Sequence, residues 1–204
     1  MFSPLQSSFS FPYLDDETAR LLVEPGGFAD PRAAARCVRD LATLPGAQPF
    51  LAAIWPHLLN ALTSAASPDR ALVNLARFIQ GAAKPTQLLE TLANDPRTTE
   101  VLVTLFAGSQ FLTEILLRNP EYLPRLADRG AVAQIKSAAL FAAEARQAVD
   151  LAGDDTDTAG AFEALRRFQR WEFLRIGVSD LCGGNSDSSI FFISKNPHWR
   201  RVSF

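Results

Sequence analysis

A serine or cysteine nucleophile needs an imidazole to take its proton and a third group to orient the imidazole, and this chain has two histidines with which to build such a site. His57 sits beside Pro56 in an apolar stretch and His198 lies close to the C-terminal end, so both read as core or surface residues rather than as general bases. Cys37 and Cys182 stand far apart, and neither histidine has a second ligand at helical spacing, which disfavours zinc. Asp154-Asp155-Thr156-Asp157 collects carboxylates that suit a hard cation. It lacks the glycine and distal glutamate of a calcium loop and precedes a strong helical pattern, so it reads as a capping loop. Gly26-Gly27 and Gly183-Gly184 could let backbone amides converge on a phosphate, but no lysine follows at the required offset. Arg166, Arg167, Arg170 and Arg175 are nearly balanced by Glu163, Glu172 and Asp180 and read as a solvated helix face. On side-chain chemistry alone, no catalytic, cofactor-binding or metal-ligating residue is assigned.

The elements that must carry these residues are helical. At 204 residues and 22.3 kDa, the chain can bury one proper core, and 48% hydrophobic residues with a mean hydropathy of +0.03 are the mark of a folding sequence. Twenty basic against 22 acidic residues, with a pI near 5.7, give no overall positive field for nucleic acid. Two cysteines make no disulfide framework, and the N-terminus lacks the basic and apolar regions of a signal peptide, so a cytoplasmic location is expected. No charged residue occurs between Leu41 and Pro68, yet the apolar heart from Phe50 to Leu62 is too short to span a bilayer and is interrupted by Pro56, His57 and Asn60. A buried helix kinked or broken at Pro56 is expected there, not a membrane segment.

Helix starts are marked by a short polar residue followed by proline, at Asp30-Pro31, Ser67-Pro68, Asp95-Pro96 and Asn119-Pro120. With the apolar spacing that follows, helices are expected near 16–24, 31–44, 47–66, 68–82, 86–94, 96–106, 109–118, 120–128, 131–152 and 158–181. The alanine-rich stretch from Ala131 to Ala152 suggests one helix with two buried faces, through Val132, Ile135 and Ala139, and through Leu140 and Phe141. The last helix carries a stripe of Phe162, Leu165, Phe168, Trp171, Leu174, Val178 and Leu181, with Glu163 and Arg167 placed to pair. After Cys182 the character changes to a Gly/Ser-rich link, a short Ile190–Ile193 aromatic run and a basic end. The expectation is an all-α multi-helix array or bundle: an N-terminal extension over 1–30, a helical domain over 31–181 and a poorly packed tail over 182–204.

Three segments resemble the N-terminal region of the bifunctional glutamine synthetase adenylyltransferase/adenylyl-removing enzymes. They are Ser67–Ile79, where Asn74 precedes Leu75 and an aromatic; Ala107–Leu123, with Ser109-Gln-Phe-Leu112 followed by Asn119-Pro-Glu121; and Leu165–Leu181, an Arg-rich helix containing Leu174-Arg-Ile176. Their order and spacing are similar to that family over roughly residues 60–181. The resemblance implies transfer of AMP from ATP to a tyrosine of glutamine synthetase and its removal by phosphorolysis. It also implies glutamine synthetase and a regulatory signal protein as partners, and magnesium held by carboxylates spaced Asp-x-Asp on a strand after a glycine turn.

The chain departs from that pattern where this machinery should begin. Gly183-Gly184 with Asp187 imitates the turn and the first carboxylate, but no acidic residue follows Asp187. One carboxylate cannot build a two-metal site. The expectation is therefore a fragment, from a frameshifted or interrupted gene, that binds no cofactor and is inactive alone. A non-catalytic helical interaction module is the alternative.

Overall fold

Proline one position past a short polar residue places a missing donor where a helix would leave it unpaired, and helices begin in this way at Pro31, Pro68 and Pro96, while another begins at Pro85 behind Lys84. The structure is a computed structural model that describes residues 16–151 and 158–183. Its described residues form eleven α-helices and no strand, in the all-α array expected. The aspartate-rich loop, Asp187, His198 and the C-terminal tail from Gly184 onward lie outside the described residues, as does the N-terminal stretch before Asp16. The chain divides into two units, residues 1–121 and 122–204.

The first unit contains α1 (Asp16–Val23), α2 (Pro31–Ala42), α3 (Gln48–Thr63), α4 (Pro68–Gln80), α5 (Pro85–Asn94), α6 (Pro96–Gly108) and α7 (Gln110–Arg118). Helix α3 runs unbroken through Pro56. It buries Leu51, Ile54, Trp55, Leu58 and Leu62, while Pro56, His57 and Asn60 face outward. The apolar stretch is thus a core helix, and no described helix is long and apolar enough to cross a membrane. Leu72, Leu75 and Ile79 of α4 and Leu102 and Phe106 of α6 complete the centre, with the Phe78 and Phe106 rings 5.8 Å apart.

The caps differ in how they work. Asp30 and Asp95 accept from Ala33 N and Thr98 N, whereas the Ser67 side chain makes no capping bond. In its helix Asp69 reaches back 40 positions, accepting from Ala29 N at 2.9 Å and Asp30 N at 3.0 Å, and so ties the start of α4 to the start of α2. Asn119 caps backward, since its Nδ2 donates to Ile115 O at 2.7 Å. A 3-10 turn, Pro120–Tyr122, follows it instead of a long α-helix.

The second unit contains α8 (Leu123–Ala127), α9 (Arg129–Ala133), α10 (Ala138–Asp150) and α11 (Thr158–Gly183). The expected continuous helix over 131–152 is therefore two helices. Asp128 caps α9 through Gly130 N, Ser137 caps a fresh start through Leu140 N, and residues 134–137 between them are not helical. The two buried faces are absent as well: Val132 is buried, but Ile135 is 84% exposed and α10 buries no residue fully. Alanine favours helix wherever it stands, but its small side chain says little about which face is covered.

Candidate functional site

Along α11 the residues that face inward are not only the apolar ones. Trp171, Leu174 and Val178 are buried, and so are Glu172 and Arg175 between them. A carboxylate and a guanidinium leave water only if their charges and hydrogen bonds are met. The Glu172 carboxylate meets both conditions. Oε1 accepts from Lys136 Nζ at 2.8 Å, and Oε2 accepts from Arg175 Nε at 3.0 Å and Nη2 at 2.8 Å. Lys136 also pairs with Glu144 on α10, and Arg175 Nη1 donates to the Gln134 carbonyl at 2.5 Å.

Two cations and two anions thus close on one another, with side-chain exposures of 5% for Lys136, 2% for Glu172, 8% for Arg175 and 29% for Glu144. The cluster explains why the helix breaks at residues 134–137. That linker supplies both the Lys136 ammonium and the Gln134 carbonyl, and a continuous helix would not present the two in this way.

Aromatic packing frames the cluster. Trp171 lies 5.9 Å from the Tyr122 ring, with the Arg125 guanidinium 3.8 Å above its face, and Tyr122 Oη donates to Arg167 O at 3.0 Å. Burial draws the Arg125 pKa below its ordinary value, with Glu172 acting in the opposite sense. Phe141 packs edge-on against Phe168 at 4.9 Å, joining α10 to α11.

The sequence-level candidates fall as follows. His57 is exposed on α3. Cys37 is half-buried, its Sγ 3.7 Å from Leu72 O, and burial with help from Asp40 pushes its thiol up to about 11, which makes it a poor nucleophile. Cys182 is exposed near the end of α11. Gly26 closes a 3-10 turn in which an added Cβ would meet the Phe28 ring at 2.2 Å, and Gly27 has φ +65, so this pair serves the turn. Glu163 pairs with Arg167 at 3.7 Å, as its spacing predicts, and also with Arg170 at 3.0 Å. Arg175 does not share the solvated face of Arg166 and Arg167 but is buried with Glu172. Glu172, read with Arg175 as part of a solvated face, is buried instead, and Lys136 and Glu144 were not singled out by patterning.

This arrangement positions helices; it does not offer ligands. Magnesium-assisted phosphoryl chemistry needs carboxylates open to an ion, whereas both Glu172 oxygens are taken by cations. Among the described residues no three His, Cys, Asp or Glu side chains gather in a way that could hold a metal. The described residues therefore do not fit the ion, and no described buried side-chain nitrogen or oxygen lacks a hydrogen-bond partner.

The segments that carried the family resemblance have defined structural work. Buried Asn74 donates from Nδ2 to Phe106 O at 3.3 Å, and Arg70 donates to Ala107 O, so α4 satisfies the carbonyls at the end of α6. Ser109 caps α7 through Leu112 N. Tyr122 and α11 build the framed cluster. Comparison with known proteins agrees with these segments. Residues 99–191 match the model of the glutamate-ammonia ligase adenylyltransferase family. The bifunctional glutamine synthetase adenylyltransferase/adenylyl-removing enzyme of Pseudomonas aeruginosa is 29% identical over 83% of this chain and 18% of its own length. That of Mycobacterium leprae is 31% identical over 64% of the chain and 13% of its own length, and that of Pseudomonas syringae is 28% identical over 83% and 18%. This chain spans less than a fifth of the length of these curated relatives. No solved structure matches it.

Proposed function

We propose that this chain, a relative of the glutamine synthetase adenylyltransferases through residues 99–191 and the helices before them, is a helical scaffold portion of such an enzyme that transfers no AMP by itself. The activity to which it contributes is AMP transfer from ATP to a glutamine synthetase tyrosine, and its reversal by phosphorolysis, in the cytoplasm. ATP and magnesium belong to catalytic domains outside this chain, and glutamine synthetase with its regulatory signal protein are the partners of the assembled enzyme.

One observation carries this reading. Within the residues matched to the family model, the buried acid Glu172 is neutralised internally by Lys136 and Arg175, so it braces helices and its carboxylate is not open to magnesium. The test is incubation of the chain with ATP, magnesium and glutamine synthetase, followed by intact-mass measurement of the synthetase. No AMP adduct is expected. An adduct that forms with this chain alone would overturn the proposal.

A second reading, a non-catalytic interaction module, draws on a specific feature of the second unit. Phe162 is 56% exposed, Leu165 38% and Phe173 37% on α11, with Leu140 38% exposed on α10. Apolar area of this kind marks contact surfaces. Light scattering addresses it: self-association is expected, and a clean monomer would count against a sticky, uncovered face.

A further inference from the structure

In the first unit, an open cleft of about 310 Å³ is lined by Arg20 of α1 and by Arg32, Arg36, Arg39 and Ala35 of α2, with no acid among the described residues that line it. The spacing of 32, 36 and 39 puts three guanidiniums on one face of α2. The opposite face buries Ala34, Val38 and Leu41. One feature shows that this placement is not what the helix itself favours. Arg32 and Arg36 are like charges four positions apart, a pairing that opposes helix formation.

Counter-charge from the protein is sparse. Among the described residues, Arg20, Arg32 and Arg36 are exposed and none forms an ion pair with a carboxylate, while half-buried Arg39 already has an interaction of its own. Some arginines elsewhere are balanced in this way, as at Glu163 and Glu172.

We propose that this cleft is an anion site for a small ligand bearing two or more adjacent phosphate groups. Guanidinium forks match phosphate oxygens bidentately. A terminal phosphate group carries roughly −1.5 to −2 near neutral pH and a bridging one about −1, so two or three joined groups supply counter-charge for Arg20, Arg32 and Arg36 within a small volume. A carboxylate ligand would need a separate carboxyl group for each guanidinium. The site is open, so the ligand exchanges with solvent, and the affinity falls as salt screens it.

Isothermal titration of the full chain with inorganic tripolyphosphate tests the assignment, with citrate as a carboxylate control. One saturable site is expected, weaker at physiological than at low ionic strength. Arg32→Glu and Arg36→Glu should each weaken it about tenfold or more, since each loses a charge-assisted contact. Both side chains are exposed, so circular dichroism should show the helical fold retained. Arg36→Lys keeps the charge and loses the fork, and should fall between the wild type and Arg36→Glu. The absence of saturable binding, binding unchanged in both Glu variants, or citrate binding as tightly as tripolyphosphate would overturn the proposal. Arg166, an exposed arginine of the second unit, serves as the control position: Arg166→Glu makes the same charge change and should leave the titration unchanged, and a matching loss there would reveal a non-specific charge effect and overturn it equally.

Discussion

Replacing Glu172 by glutamine keeps the shape of the side chain and removes one charge from the Lys136–Glu144–Glu172–Arg175 cluster. The two cations are then left facing a single carboxylate, Glu144, which is 29% exposed, while the vacated position is only 2% exposed. Breaking a buried ion pair from one side costs about 3–5 kcal/mol, because the surviving charge stays buried without compensation. Here the lower end applies, since Glu144 still holds Lys136 and one corner of the cluster is near water. A loss of about 3 kcal/mol in a chain of this size lowers the thermal midpoint by roughly 6–12 °C. Thermal unfolding followed by far-UV circular dichroism, with urea titration for the free energy, measures it. The informative companion is the triple change Lys136→Met, Glu172→Met and Arg175→Leu, which removes the charges together. Gln134 is exposed, so water can take over its carbonyl, and Glu144 can turn to solvent. The triple variant should then lie within about 1 kcal/mol of the wild type or above it. A Glu172→Gln loss below about 1 kcal/mol would refute the desolvated, mutually dependent cluster. So would a triple variant less stable than the single one.

Two further expectations concern the first unit. Asn74→Leu removes the buried donor to Phe106 O, and leaving that carbonyl unmet should cost about 1–3 kcal/mol by urea unfolding; a neutral result would mean that water reaches the end of α6. Asp95 is held below the ordinary carboxylate range, first by the Thr98 hydroxyl and then by the Thr98 and Arg97 backbone N–H groups. A depressed carboxyl contributes stability that is present above its unfolded pKa and is lost as the pH falls through the lower folded value. The stability gap between the wild type and Asp95→Asn should therefore narrow on acidification, and Asp95→Ala should cost about 1 kcal/mol near neutral pH as a lost cap. A gap that is flat with pH would remove the charge from the account of this cap.

The helical class was legible because its signals are local. A polar residue before proline, or an apolar residue every three or four positions, needs no partner elsewhere to act, and α2, α4 and α6 begin where those signals stand. What failed had no local signature. The run from Ala131 to Ala152 has good helix formers throughout, and its break depends on Arg175 taking the Gln134 carbonyl from 41 positions away. The α11 stripe was legible as a period but not as a depth. Phe162 and Leu165 carry the same pattern as Trp171 and Leu174, yet they are exposed, since a period tells which face a side chain shares and not whether another element covers it. Reading Arg175 as solvated made the same error in reverse. Arginine is usually exposed, and only the acid three positions earlier, together with an ammonium on another element, makes its burial tolerable.

The division between scaffold and chemistry follows from how each resembling segment is used. Asn74 holds the end of α6, Ser109 starts α7, Tyr122 fixes the α11 backbone at Arg167, and Glu172 with Arg175 secures the linker before α10. Each is a polar group spent on the protein's own backbone or on its own counter-charge. The likeness to the adenylyltransferases in this stretch includes internal polar contacts that set helix ends and crossings. Arg20, Arg32 and Arg36, by contrast, lie outside the residues matched to the family model, and a ligand at the proposed anion site would engage side chains that the fold does not use.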